Sequence, residues 1–412
     1  MPHTSAGLRR RAWAVVAGIT AAVLGAAMPS AAAARAVTAA RADTAATAAT
    51  ADGSYIVTLK KGARGLRADS EGGRELAARY GARISRTYST ALNGYAVRAN
   101  GTQAERLAAD PHIASVAPDA RVSLRTRQQH SQQHPQSWGL DRIDQPDRTL
   151  DASYTSPRSA GRGTTIYVLD TGVRTTHRDF GGRARSGWDF VANDAVAEDG
   201  NGHGTHIAAT AAGSAYGVAK RADIVAVKVL DDTGQGTSAQ VLAGLDWVMK
   251  HAHKPAVVNL SLGATQEAPI PEWDEAVRSG IASGLTFTVA AGNQDRSAGS
   301  YSPGRVAGAI TVGSTDRDDR RSAFSNWGPA VDLFAPGERI VSASNTSDTG
   351  TKVMSGTSMA APHAAGAAAL YLADHPRATP AQVSAALTAH AAKGKVRNAG
   401  TGSPNRLLQV GS

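Results

Sequence analysis

The 412-residue chain has no cysteine. That excludes disulfide bridges and any free-thiol sensitivity, so stability has to come from packing or from a bound metal. Long apolar runs are scarce. Only Ala12 to Met28 approaches the length of a membrane span, and at about 17 residues it is marginal for one. No internal repeat of about 20–50 residues is present, which removes solenoids and propellers. Net charge is missing from most of the chain as well. The formal total is +10, yet the first 130 residues carry 18 Lys+Arg against 8 Asp+Glu, and the remainder carries 26 of each. The basic excess belongs to the N-terminal third, so a nucleic-acid surface on the main domain is not expected.

What is present begins with an address. Arg9-Arg10-Arg11, the apolar run and then Ser30 with a string of alanines form a basic region, an apolar region and a small-residue cleavage zone. Residues 1–34 therefore read as a signal peptide rather than an anchor, and both Sec and twin-arginine export fit. Residues 35–51 are an Ala/Thr-rich linker. Residues 52–125 read as a small unit: strand Tyr55–Leu59, helix Arg74–Tyr80, strand Leu92–Val97, helix Thr102–Ala109 and strand Ile113–Asp119. Thr102 with Glu105 has capping-box spacing.

Further on, Thr164–Gly172 is a continuous apolar strand ending in Asp170, as expected where both faces of a parallel sheet are covered. Asn201-Gly202-His203-Gly204-Thr205-His206 precedes a short helix over Ile207–Ala212. Gly356-Thr357-Ser358-Met359-Ala360 opens an Ala-rich helix, placing the Ser358 hydroxyl where backbone N–H groups favour negative charge. Ile224–Leu230, Val257–Leu262 and Leu285–Ala290 are apolar, and Ser238–His251 and Pro271–Ser283 are helical. The alternation predicts an α/β fold, a doubly wound parallel sheet with helices on both faces. Such sheets gather functional groups at the carboxyl ends of their strands. An acid, a histidine and a serine in that order suit nucleophilic catalysis. His203 and His206 lack the Glu of a His-Glu-x-x-His zinc site.

These stretches, with Tyr216-Gly217-Val218-Ala219-Lys220, Val227–Asp232, Val289-Ala290-Ala291-Gly292-Asn293, Phe324-Ser325-Asn326-Trp327-Gly328 and Pro362-His363, resemble the subtilases, in particular the proteinase K and aqualysin branch. The likeness runs from Trp138 to the C-terminus and implies a subtilisin-like peptidase domain over residues 131–412. It implies Asp170, His203 and Ser358 as a triad, with Asn293 in the oxyanion hole. It implies two edges that flank an extended substrate, Gly234-Gln235-Gly236 and Ser261-Leu262-Gly263. The small residues Ala290, Ala291 and Gly292 then leave room for a large apolar or aromatic side chain before the cut. Ser238, where relatives often carry tyrosine, puts preference four residues upstream in doubt. His363 reads as structural, and Asp231 and Asp232 as solvated or structural acids of a family turn. Structural calcium is implied at Asp332 with the carbonyls of Ala307 and Ala309. A second site is not expected, because Lys395 occupies its region.

By the same likeness, residues 52–125 resemble the inhibitory prosegment, a small α+β ferredoxin-like unit whose tail lies in the cleft. The cut is then expected between Leu124 and Ser131. An accessory ferredoxin-like domain is the plain alternative. The expected protein is a secreted, extracellular, calcium-stabilised serine endopeptidase, monomeric, acting on polypeptides and inhibited by its own prosegment. It binds no nucleic acid, and no membrane once the signal is removed. A catalytically dead binder and a processing protease with one partner are the competing readings. Ala209, Ala361 and Ala365, where relatives often have Gly, Thr and Val, bear on helix packing rather than chemistry.

Overall fold

The computed structural model describes residues 50–61, 66–124, 127–129, 137–264 and 267–410. The signal-peptide reading and nearly all of the linker reading lie outside them. Among the described residues no helix is long and apolar enough to cross a membrane.

The N-terminal unit is built from β1 (Thr50–Leu59), α1 (Glu71–Arg79), β2 (Arg83–Tyr88), β3 (Gly94–Arg98), α2 (Gly101–Ala108) and β4 (Ile113–Ser123). The strands form an antiparallel sheet in the order β2-β3-β1-β4. One face carries Val57, Tyr95, Val97, Leu76, Leu107 and Ile113 as a private core. Two expectations need correction. β2 is a strand the sequence pattern did not announce, because Arg83, Ser85 and Thr87 alternate with only Ile84 and Tyr88 as large apolar groups. The capping box of α2 uses Asn100 and Gln103 rather than Thr102 and Glu105. Asn100 is extended and accepts from Gln103 N–H, while Gln103 accepts from Asn100 N–H, so the helix begins two residues before Thr102 could cap it.

The main unit is a nine-stranded sheet. Its parallel run contains β13 (Leu333–Pro336), β12 (Ile310–Thr315), β11 (Thr286–Ala290), β10 (Ala256–Leu260), β6 (Thr165–Asp170), β8 (Asp223–Lys228) and β7 (Ala184–Asp189), in that order. Every residue of β10 and β11 is buried, the polar Asn259, Thr286 and Thr288 included, so neither strand has a solvent-facing side. On one face lie α4 (His203–Ala212) and α7 (Thr357–Asp374), which pack on each other and on the sheet. On the other lie α5 (Ser238–His251) and α6 (Pro271–Ala282).

Small residues set the spacing between α4 and α7. A Cβ on Gly366 would stand 2.5 Å from Val218 Cβ and 2.7 Å from Ala211 O. Ala209, Ala361 and Ala365 are all fully buried in this layer. A hairpin of β14 (Ile340–Ala343) and β15 (Thr351–Ser355) precedes α7, and β5 (Arg127–Gln129) is added to its edge.

Candidate functional site

The site forms where β6, α4 and α7 converge. β6 ends at Asp170 because Gly172 follows at φ +103°, with Glu198 O only 2.4 Å from where a Cβ would stand. The first residue of α4 is His203. Its neighbour Gly204 approaches the Gly172 carbonyl so closely that a Cβ would lie 2.0 Å from that oxygen. Two glycines thus bring strand end and helix start together, and His203 Nδ1–H donates to Asp170 Oδ1 at 2.7 Å. Asp170 Oδ1 also accepts from Thr171 N–H at 2.8 Å. His203 Nε2 has no partner among the described residues.

Asp199 ties this pair to its loop. Its carboxylate accepts from Thr171 Oγ1, Asn201 N–H, Gly202 N–H, Thr205 N–H and Thr205 Oγ1, at 2.6–3.0 Å. Lys228 Nζ is buried and donates to Thr171 O at 2.6 Å and to Asp232 Oδ1 at 2.7 Å. Asp231 caps the turn through Thr233 and Gln235. The Asp232 side chain is exposed apart from its bond to Lys228.

Ser358 is the second residue of α7, and a proline inside that helix shapes its surroundings. Pro362 has no N–H to offer the carbonyl four residues back, which is that of Ser358. Ser261 Oγ takes that role, donating to Ser358 O at 2.8 Å, and Ser358 Oγ donates to Ser261 O at 2.9 Å. Behind Ser261 the chain of bonds continues to Asn259 Nδ2 at 2.9 Å, and Asn259 Oδ1 accepts from Thr288 Oγ1 at 3.0 Å. The Ser358 hydroxyl therefore rests on Ser261 and not on His203. Asn259, Thr288 and the role of Pro362 escaped the sequence reading, although a proline four residues after a helix-opening serine was visible.

Asn293 follows β11. Its Oδ1 accepts from Thr357 N–H and Thr357 Oγ1, both at 2.8 Å, which turns its amide nitrogen toward Gly356. The loop around it is held by Asn326, which accepts from Gln294 N–H and Arg296 N–H and donates to Ala291 O. This is what the Phe324–Gly328 stretch does. One cavity brings together Ser358, Asn293, Ser261, Leu262, Gly263, Ala290, Ala291 and Gly292. Ser123 and Leu124 line the same cavity.

Gly234–Gly236 lies beside the end of the N-terminal unit, where Gly234 O accepts from Leu124 N–H at 2.9 Å. Gln235–Thr237 forms β9 and adds to the N-terminal sheet beside β4. Among the described residues Ser261–Gly263 forms no ladder with β4. Docking is reinforced by two carboxylates the sequence reading missed. Asp119 accepts from Ala239 N–H at the start of α5, and Asp246 on α5 accepts from the N–H groups of Ser89, Thr90 and Ala91. Burial raises the Asp119 pKa.

His206 and His363 are fully buried, and desolvation pushes their pKa values down to about 3 and about 4. His206 Nε2 contacts Ile340 O and His363 Nδ1 contacts Met359 O. Among the described residues no three His, Asp or Glu side chains cluster as a metal site. Asp332 accepts from Thr311 N–H at 2.8 Å, makes no ion pair among the described residues, and is shifted up by burial. Ala307 and Ala309 are bridged to each other two residues before Thr311.

A strand-end acid bonded to a helix-start histidine, with a serine opening the helix packed against it, is the residue set that serine hydrolases use. Residues 161–409 match the Subtilase family and residues 54–125 match Peptidase inhibitor I9. The chain is 48% identical over 328 residues to an extracellular serine proteinase of Thermus sp. (strain Rt41A), covering 80% of this chain and 78% of that one. It is 46% identical over 330 residues to alkaline serine exoprotease A of Vibrio alginolyticus, covering 80% of this chain and 60% of that one. A cold adapted subtilisin-like serine proteinase of known crystal structure is 49% identical, with a TM-score of 0.65, over 68% of this chain and all of that one. The chain belongs to the subtilase family: it is an extracellular subtilisin-like serine endopeptidase with an N-terminal I9 inhibitor unit.

Proposed function

We propose that the protein is secreted as a zymogen, removes its own prosegment and then acts as a monomeric endopeptidase of broad specificity. The proposed boundaries are 1–34 signal peptide, 35–51 linker, 52–125 prosegment and 131–412 peptidase domain. The observation that carries the reading is the 2.7 Å contact of His203 with Asp170 at the start of α4, the helix packed against α7, which carries Ser358.

In this reading Ser358 Oγ rotates from Ser261 O to His203 Nε2, which is open to receive its proton. The oxygen attacks the carbonyl carbon of the substrate, and the charge that develops on the carbonyl oxygen is met by the Asn293 amide and the Ser358 N–H at the start of α7. Asp170 holds the imidazole in the required tautomer and stabilises the imidazolium. Collapse breaks the C–N bond, His203 protonates the departing amine, and Ser358 is left acylated. Water then delivers its oxygen to the acyl carbon and its proton, through His203, to Ser358 Oγ. Substrate lies as a strand on Gly234–Gly236 with Ser261–Gly263 opposite. Ala290, Ala291 and Gly292 favour a large apolar or aromatic residue before the cut.

Calcium suits Asp332 and the Ala307 and Ala309 carbonyls. A half-buried carboxylate with no ion pair among the described residues is a hard oxygen donor, as are main-chain carbonyls, and such donors are what this cation takes. Bound there, the ion would tie the loop before β12 to β13 and stabilise the fold.

The test is digestion of several unrelated unfolded proteins by the mature enzyme, with the cut positions mapped. Cuts in all of them, mostly after large apolar residues, are expected. Asn293→Ala is expected to lower kcat by about 10²–10³-fold, the size found for the matching residue of a subtilisin relative. Cleavage of one partner alone would contradict the reading.

A further inference from the structure

Lys228 is a buried cation with no part in the proton transfers of the triad. It ends β8, and the register sets it opposite Asp170 on β6. Its side chain is only 7% exposed, whereas that of its ion-pair partner Asp232 is 65% exposed. Water screens that pair, so the pair does little to offset the cost of burying an ammonium. The bond that lies inside is the one to Thr171 O, at 2.6 Å. Thr171 is bonded to the triad through its other polar groups. Its N–H donates to Asp170 Oδ1, the oxygen that also accepts from His203 Nδ1–H. Its hydroxyl donates to Asp199 and accepts from Gly204 N–H at 3.0 Å, in the first turn of the helix that His203 opens. The next residue, Gly172, sits at φ +103° and has no side chain to restrain the chain there. A charge-assisted bond from a lysine fixed in the sheet supplies that restraint.

We propose that Lys228 is a positioning residue for catalysis: by holding the Thr171 carbonyl it sets the angle at which Asp170 meets His203. The inference rests on the reading of Asp170, His203 and Ser358 as the triad. Lys228 exchanges no proton with them and touches no substrate. It acts through Thr171, whose N–H and hydroxyl reach the strand-end acid and the histidine helix at once. Without the ammonium, the bend after Asp170 loses its anchor to β8, and the Asp170 carboxylate gains freedom to turn away from the imidazole. Small errors of angle there are costly, because the imidazole has to meet the serine hydroxyl in one orientation.

The experiment has two readouts. In the full-length Ser358→Ala precursor, which needs no activity, the His203 Nδ1–H proton is followed by NMR with nitrogen-labelled histidine. Held against Asp170, it is expected far downfield. Lys228→Met is expected to shift it upfield or broaden it, and Lys228→Arg to restore it. Asp232→Asn is expected to leave it in place, since that change spares the bond to Thr171. Lys228→Gln, polar but too short to reach the carbonyl, is measured alongside Lys228→Met, so one folded variant suffices. In the mature enzyme, kcat per site titrated with a fluorophosphonate is expected to fall by up to about 100-fold in Lys228→Met, with KM little changed. An unmoved proton in a folded variant would overturn the assignment and leave the protease reading intact. So would a kcat per site equal to wild type, or a loss in Asp232→Asn as large as in Lys228→Met. A Ser358→Ala precursor with no such proton would instead count against the Asp170–His203 contact, and so against the reading beneath.

Discussion

Pro362 withholds the N–H that a regular helix would give to the carbonyl of Ser358, and Ser261 supplies a hydroxyl in its place. The exchange couples Ser358 to the buried chain Ser261–Asn259–Thr288. Removing the Ser261 hydroxyl leaves the Ser358 carbonyl and the Asn259 amide without their partners. Ser261→Ala is expected to cost about 1–3 kcal/mol of stability and to lower kcat more than it raises KM. Steady-state kinetics checks the second effect, and denaturant unfolding in the Ser358→Ala background, where self-digestion is absent, checks the first. Asp170, His203, Ser358 and Asn293 were legible because each sits in a short motif. Ser261 was legible only as part of an edge. Asn259 and Thr288 were not, since their partners lie 29 or more residues away, apart from the bond between Asn259 and Ser261.

Among the elements, the buried strands and α5 were the most legible, because an unbroken apolar run or a long periodic segment leaves few alternatives. Ser238–His251 was read with both ends in place. β2 was missed for the opposite reason: it is an edge strand whose polar residues face out. The cap of α2 moved because Asn100 outcompetes Thr102 for the first free N–H groups. The closest helix packing depends on a residue with no side chain at all. Gly366→Ala would drive a methyl against Val218 and the Ala211 carbonyl, and is expected to cost about 1–3 kcal/mol by overpacking. Thermal unfolding of the Ser358→Ala protein with and without the substitution measures it. The triad motifs are untouched, so activity at moderate temperature should persist.

Across the whole molecule, a fold without disulfides relies on a dry interior, and that interior holds two histidines that resist protonation. His206 and His363 titrate near 3 and near 4 in the folded state, against about 6.5 when exposed. Because the folded values are depressed, their contribution is complete above pH 6.5 and is lost as pH falls through 6.5 toward 4 and 3, where only the unfolded chain takes up protons. Each lowers stability by up to about 1.4 kcal/mol per pH unit in that window. His363→Gln is expected to flatten the fall in unfolding free energy between pH 6.5 and 4 by about one proton. An unchanged slope would show that His363 is already charged in the folded protein.

The central claim, that Ser358 is a nucleophile activated by His203 and Asp170, is tested most directly by labelling the mature protein with a fluorophosphonate and locating the adduct by peptide mass. The account predicts a single adduct on Ser358, lost in His203→Ala and absent from the intact Ser358→Ala precursor. No adduct on the folded mature protein, or an adduct elsewhere with Ser358 unmodified, would contradict it.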